Sequence, residues 1–592
     1  MAAYDTAIDD VLTPGGDESF DVRARRRRDA WQTCLPRTST ATVAAIAALA
    51  VVFVATSFYP LHHTDLWGHL ALGRAMIESG ETPLTLAVPH ADWLAKTLGY
   101  RWWQSTGPGG LQLAHVLLVT AAFGLLMVAI ARRTASLAWA AAGCLVAYAL
   151  ALPITGVIRP QLFGMFGMAI TLWALSRIAT RRDPLLWLPP IFALWANLHG
   201  SFATGLAVVG CWLFGNSISA LWLFGFGKTL QSRLLRRGGL LLLLSAAATL
   251  LNPQGFALWS EVLGFAGHAN LAAIREWQPL VLTSLSGTLF FSSILVTTVL
   301  LRFSPRRLTG GEVGLLLLLA VSTLLAMRML VWWALVWPFV MAPHAVAVTG
   351  HWRRASHATA NQDRRSEPTA MNTLIAVAIV FVALVISPVG DAVIAGHSRP
   401  EATVVSDETP LYLADAIEQL SLAGPVFAPQ KWADYLLWHS GGRVAPLAVS
   451  HVHQISPQTW HDYRVLAGGG EAWSEILDRH QLTTLVLDHA ENRRLIHRLR
   501  SEGRLRVLYQ DQQGLIVWRE AATTRVPAET DTLAQQDLSN GDKSSGDALG
   551  KEHDESGVKK SEHAAAPRER NVKPAKHDVP PVPARGQPDS DA

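Results

Sequence analysis

Long apolar runs dominate the chain from residue 41 to residue 389 and then stop. They lie at 41–59, 111–131, 137–153, 160–177, 185–197, 201–226, 238–251, 284–301, 312–327, 329–349 and 371–389. A bilayer core of roughly 30 Å takes about 20 residues of helix to cross. The pattern therefore predicts an α-helical polytopic membrane protein with about 11 transmembrane helices. The run 185–197 is short and holds Pro189 and Pro190, which predicts a kinked or broken helix. Two long polar stretches, 61–110 and 252–283, interrupt the series.

Beyond residue 389 the pattern changes. Strand-like runs occur at Pro425–Pro429, Thr483–His489, Leu505–Gln510 and Gly514–Arg519, with helical patterns at Trp432–His439 and Ala472–His480 between them. Strands alternating with helices predict a small α/β domain at 405–520. From 521 to 592 the sequence is rich in Asp, Glu, Lys, Ser, Pro and His. Such a segment cannot bury a core, and it is read as a disordered tail. The division is then a polar, basic segment at 1–38, a membrane domain at 39–390, the α/β domain and the tail.

Charge gives the series a direction. Basic residues concentrate in alternate connections: Arg132 and Arg133; Arg177, Arg181 and Arg182; Lys228, Arg233, Arg236 and Arg237; Arg302, Arg306 and Arg307; Arg353, Arg354, Arg364 and Arg365. The cluster at Arg23–Arg28 precedes the first run. Basic loops stay on the cytoplasmic side, so the N-terminus is expected inside and both long polar stretches and the α/β domain outside. The long polar lead favours an anchor over a cleaved signal peptide. The same reasoning reads the Arg23–Arg28 cluster as a topology signal or an anionic-lipid contact, not a nucleic-acid site.

Composition adds little. Half of the residues are apolar, too many for an ordinary soluble protein of 592 residues, and the net charge is only +4. The cysteines, Cys34, Cys144 and Cys211, lie before or inside apolar runs, so no disulfide framework is expected. No P-loop, dinucleotide fingerprint, Gly-x-Ser-x-Gly elbow or Cys-x-x-Cys pair occurs.

The chemistry concentrates just after the first run, in Tyr59–Thr85. Asp65 stands there among His62, His63 and His69. On a helix over 65–78, Asp65 and His69 share a face, and Arg74 points away toward Glu78. Asp65 is either a catalytic base or a helix cap. His62, His63, Asp65 and His69 are also a candidate set for a divalent metal ion, although no established ligand spacing is matched.

The stretch TDLWGHLALGRAMIESGETPLT resembles the first outer loop of a bacterial branch of the GT-C glycosyltransferases, which include protein O-mannosyltransferases and lipid A aminoarabinose transferases. The resemblance continues at Ile158–Phe166, Leu194–Leu206, Asn252–Phe256 and Glu276–Pro279, and in the segments WADYLLW, LVLDH and LYQDQQGLIVW. Better-studied members pair two acidic residues in the first loop, whereas Leu66 follows Asp65 here.

The resemblance implies a GT-C-like bundle in the bacterial cytoplasmic membrane. The expected reaction is transfer of a sugar from a polyprenyl-phosphate donor to an extracytoplasmic glycan, lipid or protein. Asp65 is then the general base, with inversion at the anomeric carbon. The leaving phosphate needs a cation, and the candidates are Arg328, Arg159 and Arg275. His69, His199 and Glu276 are further candidate lining residues. The α/β domain is expected to shape acceptor access. The alternative is a non-catalytic transporter or assembly subunit that keeps the fold. On the topology, reporter fusions placed after Arg365 and after Glu520 are expected to report opposite sides of the membrane, and identical sidedness overturns it.

Overall fold

The computed structural model describes residues 37–61, 64–80, 91–177, 184–265, 267–355, 368–396, 399–501 and 505–519. The basic N-terminal cluster, His62, His63 and the expected tail lie outside the described residues. The helices up to residue 395 are α1 (Thr40–Ser57), α2 (Thr64–Glu78), α3 (Trp93–Thr134), α4 (Leu137–Thr155), α5 (Gln161–Ser176), α6 (Leu188–Leu198), α7 (Phe202–Gln231), α8 (Arg233–Ala248), α9 (Ala257–Phe265), α10 (Leu285–Phe303), α11 (Gly310–Leu325), α12 (Leu330–Ala355), α13 (Ala370–Val385) and α14 (Pro388–Ala395).

Every apolar run falls on one of these helices. Among the described residues seven helices are long and apolar enough to cross a membrane, and α13 with α14 makes an eighth span bent by 78°. The helices α5, α6 and α11 are apolar but only 16, 11 and 16 residues long. The expected eleven spans are therefore seven or eight of sufficient length plus three short helices. Pro189 and Pro190 do not break α6. They stand in its first turn, where a missing N–H leaves no bond unmade. The protein is an integral membrane protein, with α12 at the centre of its helical core. Two of its indoles reach α10: Trp333 Nε1 donates to Ser293 Oγ at 2.8 Å and Trp337 Nε1 to Thr297 Oγ1 at 2.6 Å.

The polar stretch 61–110 is itself largely helical. It supplies α2 and the start of α3, which bends at Gly107 (φ 67°) before entering the bundle. The stretch 252–283 supplies α9 and short 3-10 turns. After α14 the chain adds helices α15 (Leu411–Gln419), α16 (Gln430–His439), α17 (Pro457–Ala467), α18 (Trp473–Arg479) and α19 (Arg493–Ser501) around a five-stranded sheet. Its strands are β1 (Gly424–Phe427), β2 (Val444–Pro446), β3 (Thr484–Asp488), β4 (Leu505–Gln510) and β5 (Gly514–Arg519), in the order β2-β1-β3-β5-β4. β1 pairs in parallel with β2 and β3, and β5 runs antiparallel between β3 and β4. Four strands match the sequence expectation. β2, three residues long with a proline at its end, carries too little alternation to be read.

Side chains alternate across a strand, so the sheet offers two apolar faces, and each polar stretch packs on one. Val426, Val486 and Ile516 share a core with Leu66, Trp67, Leu70 and Tyr100 from the first stretch. Phe427, Leu485, Leu487 and Val517 share another with Leu271 from the second, against which Phe265, Ile274 and Trp277 pack. Edge-on aromatic contacts continue the first core, with ring centroids 4.9 Å apart for Trp67 and Tyr435 and 5.6 Å apart for Trp67 and Trp103.

The contact between α2 and α3 is close enough to need glycine. A Cβ on Gly73 would lie 2.2 Å from the Lys96 carbonyl oxygen, a backbone atom that cannot turn away. Gly73→Ala should therefore force the helices apart and cost on the order of 1–3 kcal/mol. Gly99→Ala, whose Cβ meets only Leu70 Cδ2 at 3.8 Å, should be neutral or slightly stabilising. Thermal melting of the two purified variants compares them, and equal midpoints would contradict the close packing.

Candidate active site

Four separate segments bring their charges together at the end of the bundle that carries the sheet. Asp65 lies in the first turn of α2. Arg159 lies in the turn between α4 and α5, Glu276 in the short turn Arg275–Trp277, and Arg328 in the turn Met327–Met329 before α12. Arg159 Nε is 2.7 Å from Asp65 Oδ2. Its Nη1 donates to Glu276 Oε1 at 2.8 Å and to Oε2 at 2.9 Å. Arg328 Nη1 approaches Glu276 Oε2 at 3.8 Å, and its guanidinium lies 5.2 Å from the centre of the Trp277 ring. Burial works against the Arg159 charge, but Asp65 and Glu276 outweigh it and hold the guanidinium more firmly protonated than usual.

A second charged group abuts this one. Lys96 Nζ is 2.7 Å from Asp92 Oδ1, and His69 Nδ1 is 3.5 Å from Asp92 Oδ2. Asp92 stands at the N-cap of α3 but makes no side-chain cap. Its carboxylate is given over to Lys96, whose side chain is 1 % exposed, and to His69. The His69 ring meets His451 edge-on at 4.9 Å. Burial pushes His69 down to about 4 against the pull of Asp92. Burial also carries His453 down to about 4 and His451 well below its ordinary value. Burial alone would raise the Asp92 carboxyl, yet Lys96 and His69 outweigh it and hold it far below the usual carboxylate range.

His451 and His453 come from the C-terminal region. They lie on the segment after β2, which is tied to both polar stretches. Ser450 N donates to Asp434 Oδ2 at 3.0 Å, on α16 against α2. Asn270 Nδ2 donates to the Val452 and Ile455 carbonyls, each at 2.8 Å. The sheet region thus forms one wall of the site.

Most of the expected residues meet here. Asp65, Arg159, Glu276 and Arg328 form the first group and His69 joins the second. His199 belongs to the same neighbourhood: burial, with Arg328 next in effect, carries it down to about 3. Its Nδ1 accepts from the Ser201 amide at 3.0 Å, so Nε2 bears the proton. Arg275 is exposed, and Glu276 pairs with Arg159 and Arg328, not with this neighbour. Arg74 does not pair with Glu78. It donates to the Trp438 carbonyl at 2.8 Å and lies over that ring, while Glu78 accepts from Tyr100. Among the described residues no three His, Cys, Asp or Glu side chains form a metal-binding group. Asp65 turns to Arg159 and His69 to Asp92, and the other two expected ligands lie outside the described residues.

The remaining motifs brace the site. In LWANLHG, Asn197 Oδ1 accepts from Trp93 Nε1 at 2.9 Å at the start of α3. In NPQGF, Asn252 Nδ2 donates to the Ala196 carbonyl at 3.0 Å. In EWQP, the Gln278 carbonyl accepts from Met327 N at 3.1 Å, which fixes the turn bearing Arg328.

No family model and no curated protein matches the sequence. Among solved structures, the chain is similar to the Archaeoglobus fulgidus oligosaccharyltransferase in its apo form, at 13 % identity and TM-score 0.49, over 76 % of this chain and 69 % of that one. It is also similar to ArnT from Cupriavidus metallidurans, in the apo state (16 % identity, TM-score 0.45, 80 % of this chain and 97 % of that one) and bound to undecaprenyl phosphate (15 %, 0.44, 81 % and 98 %).

The second group fixes how stability depends on pH. In the unfolded chain His69 and His453 take up protons near 6.5, but in the fold only near 4. The unfolded state binds more protons between these values, so stability should fall as pH drops from about 7 to 4. Loss of charge on Asp92 acts in the same direction at lower pH. The melting temperature should decline over this window, and less so in His69→Gln. A flat or rising profile would contradict the assignment. Lys96→Met leaves Asp92 without its cation and should cost about 3–5 kcal/mol.

Proposed function

We propose that the chain is a membrane glycosyltransferase. It moves a sugar from a polyprenyl-phosphate donor to an extracytoplasmic acceptor, in the cytoplasmic membrane of a bacterium with its N-terminus inside. The observation that carries this reading is the shared use of Glu276 by Arg159 and Arg328, next to Asp65 and at the end of apolar helices. A donor with a lipid tail must present its phosphate at such a level. Two guanidiniums beside one another offer the charge and the planar fork that phosphate oxygens match.

In the proposed reaction the acceptor hydroxyl oxygen attacks the anomeric carbon as the carbon–oxygen bond to phosphate breaks. The bonding pair leaves on the phosphate oxygen, where Arg159 and Arg328 stabilise it. The acceptor proton goes to Asp65, and displacement on one side inverts the anomeric configuration. A carboxylate paired with a guanidinium is a weak base. Binding of the phosphate draws Arg159 away from Asp65 and so releases the base only when donor is present. His69, His199 and the His451 segment lie close to these charges, and a divalent metal is not required by this scheme. The pairing of Asp65 with Arg159 also favours a second reading, in which Asp65 is structural and the protein is a non-catalytic transporter or assembly subunit.

Asp65→Asn separates the two. Asn caps a helix about as well as Asp but cannot take the proton, so transfer should fall about 10²–10⁴-fold while polyprenyl-phosphate binding is kept or tightened, because Arg159 no longer has to leave a carboxylate. Arg328→Lys should weaken both together. Lipid and glycan profiles of a deletion strain carrying Asp65→Asn should match those of the deletion alone. Wild-type profiles and transfer rates in that variant would overturn the enzymatic reading.

A further inference from the structure

A second charged feature lies at the opposite end of the bundle. α7 starts at Phe202, beside His199, and runs away from the candidate site. At Gly215 it meets the start of α11, where a Cβ would lie 2.1 Å from the Gly310 oxygen. Glu312 of α11 pairs at that end with Arg133 and Arg306. α8 begins at the same level, with Gly238 packed against Leu213. Its first turns hold an open groove of about 530 Å³ lined by Arg233, Arg236, Arg237 and Leu240.

The sequence around the groove is wholly basic. No acidic residue occurs between Asp183 and Glu261, whereas Lys228, Arg233, Arg236 and Arg237 all lie in that interval. Among the described residues, neither Arg233 nor Arg236 has a carboxylate partner. Arg236 reaches only the Gln231 carbonyl, at 3.3 Å.

Helical spacing continues the groove as a stripe. Residues 233, 236, 237, 240, 243 and 244 fall on one face. The stripe starts as arginine and ends as leucine, and Leu240, Leu243 and Leu244 are exposed at 56 %, 69 % and 47 %. It spans about 16 Å at 1.5 Å per residue, close to half of a bilayer core of roughly 30 Å. Beside it α7 bends at Gly225, whose φ of 76° suits glycine, and presents Trp222, Phe224 and Phe226 outward. Aromatic rings of this kind sit at the headgroup level of a bilayer.

We propose that this groove binds the phosphodiester headgroup of an anionic phospholipid of the surrounding bilayer, with the acyl chains running along Leu240, Leu243 and Leu244. The guanidiniums hold the phosphate oxygens, and their positive charge makes the site selective for net negative charge.

The test uses the full-length protein in detergent micelles, with phosphatidylglycerol or phosphatidylcholine added and retained lipid measured by native mass spectrometry. Phosphatidylglycerol should be retained about tenfold or more over phosphatidylcholine, and retention should fall as salt is raised. The triple variant Arg233→Gln, Arg236→Gln, Arg237→Gln should lose the preference. The triple lysine variant keeps the charge and should retain part of it. Equal retention of the two lipids by the wild-type protein, retention insensitive to salt, or an undiminished preference in the folded glutamine variant overturns the proposal. So does displacement of the lipid by millimolar inorganic phosphate, which marks a free-phosphate site. If the glutamine variant does not fold, the lipid comparison and the salt series on the wild-type protein still decide.

Discussion

A guanidinium withdrawn from water has to be matched by carboxylates, and Arg159 is matched twice. Its side chain is 9 % exposed, and its two partners come from polar stretches more than two hundred residues apart. Asp65 follows the first membrane helix and Glu276 precedes α10. Breaking either pair leaves a desolvated cation short of charge. The position of α2 and of the turn bearing Glu276 is thereby tied to the short turn between α4 and α5. Arg328 adds a fourth chain segment through the same glutamate. The rest of this end of the molecule is arranged around that pinning.

The sheet fills the space the pinned segments leave. Its two faces are apolar because its strands alternate, and each face takes one polar stretch. The C-terminal region is therefore integral to the site and not appended to a finished bundle. The two charged groups it encloses differ in character. Asp65, Glu276 and Arg328 keep 23 %, 33 % and 24 % exposure, so an incoming anion can exchange with them. Lys96 keeps 1 %, and its pair with Asp92 is sealed. One group suits the handling of a charged ligand, and the other holds α2, α3 and the His451 segment in register.

The sequence carried the helices plainly, because a bilayer imposes a length and a hydropathy that few other structures need. It carried the longer strands for a similar reason. TLVLD is buried along its whole length as β3 and reads as a continuous apolar run. Asp65, Arg159 and Arg328 were legible because a charge beside an apolar run is costly. Asp92 and Lys96 were not, although an aspartate followed four residues later by a lysine is the spacing of an ion pair on a helix. His451 and His453 were out of reach, since the meeting of His451 with His69 depends on contacts across nearly four hundred residues. Arg74 was misread for a related reason: helical spacing put it beside Glu78, and the tertiary contact with Trp438 prevailed.

The order of the strands sets a timetable. β5, at Gly514–Arg519, is the last of the described strands in sequence, yet it lies inside the sheet between β3 and β4. Among the described strands β4 pairs with β5 alone, and the face that covers α2 includes Ile516. A ribosome that has delivered every membrane helix has still not delivered the piece that closes the wall around His69. A chain cut short before residue 514 lacks the strand that joins β4 to the sheet and supplies Ile516 to the face over α2.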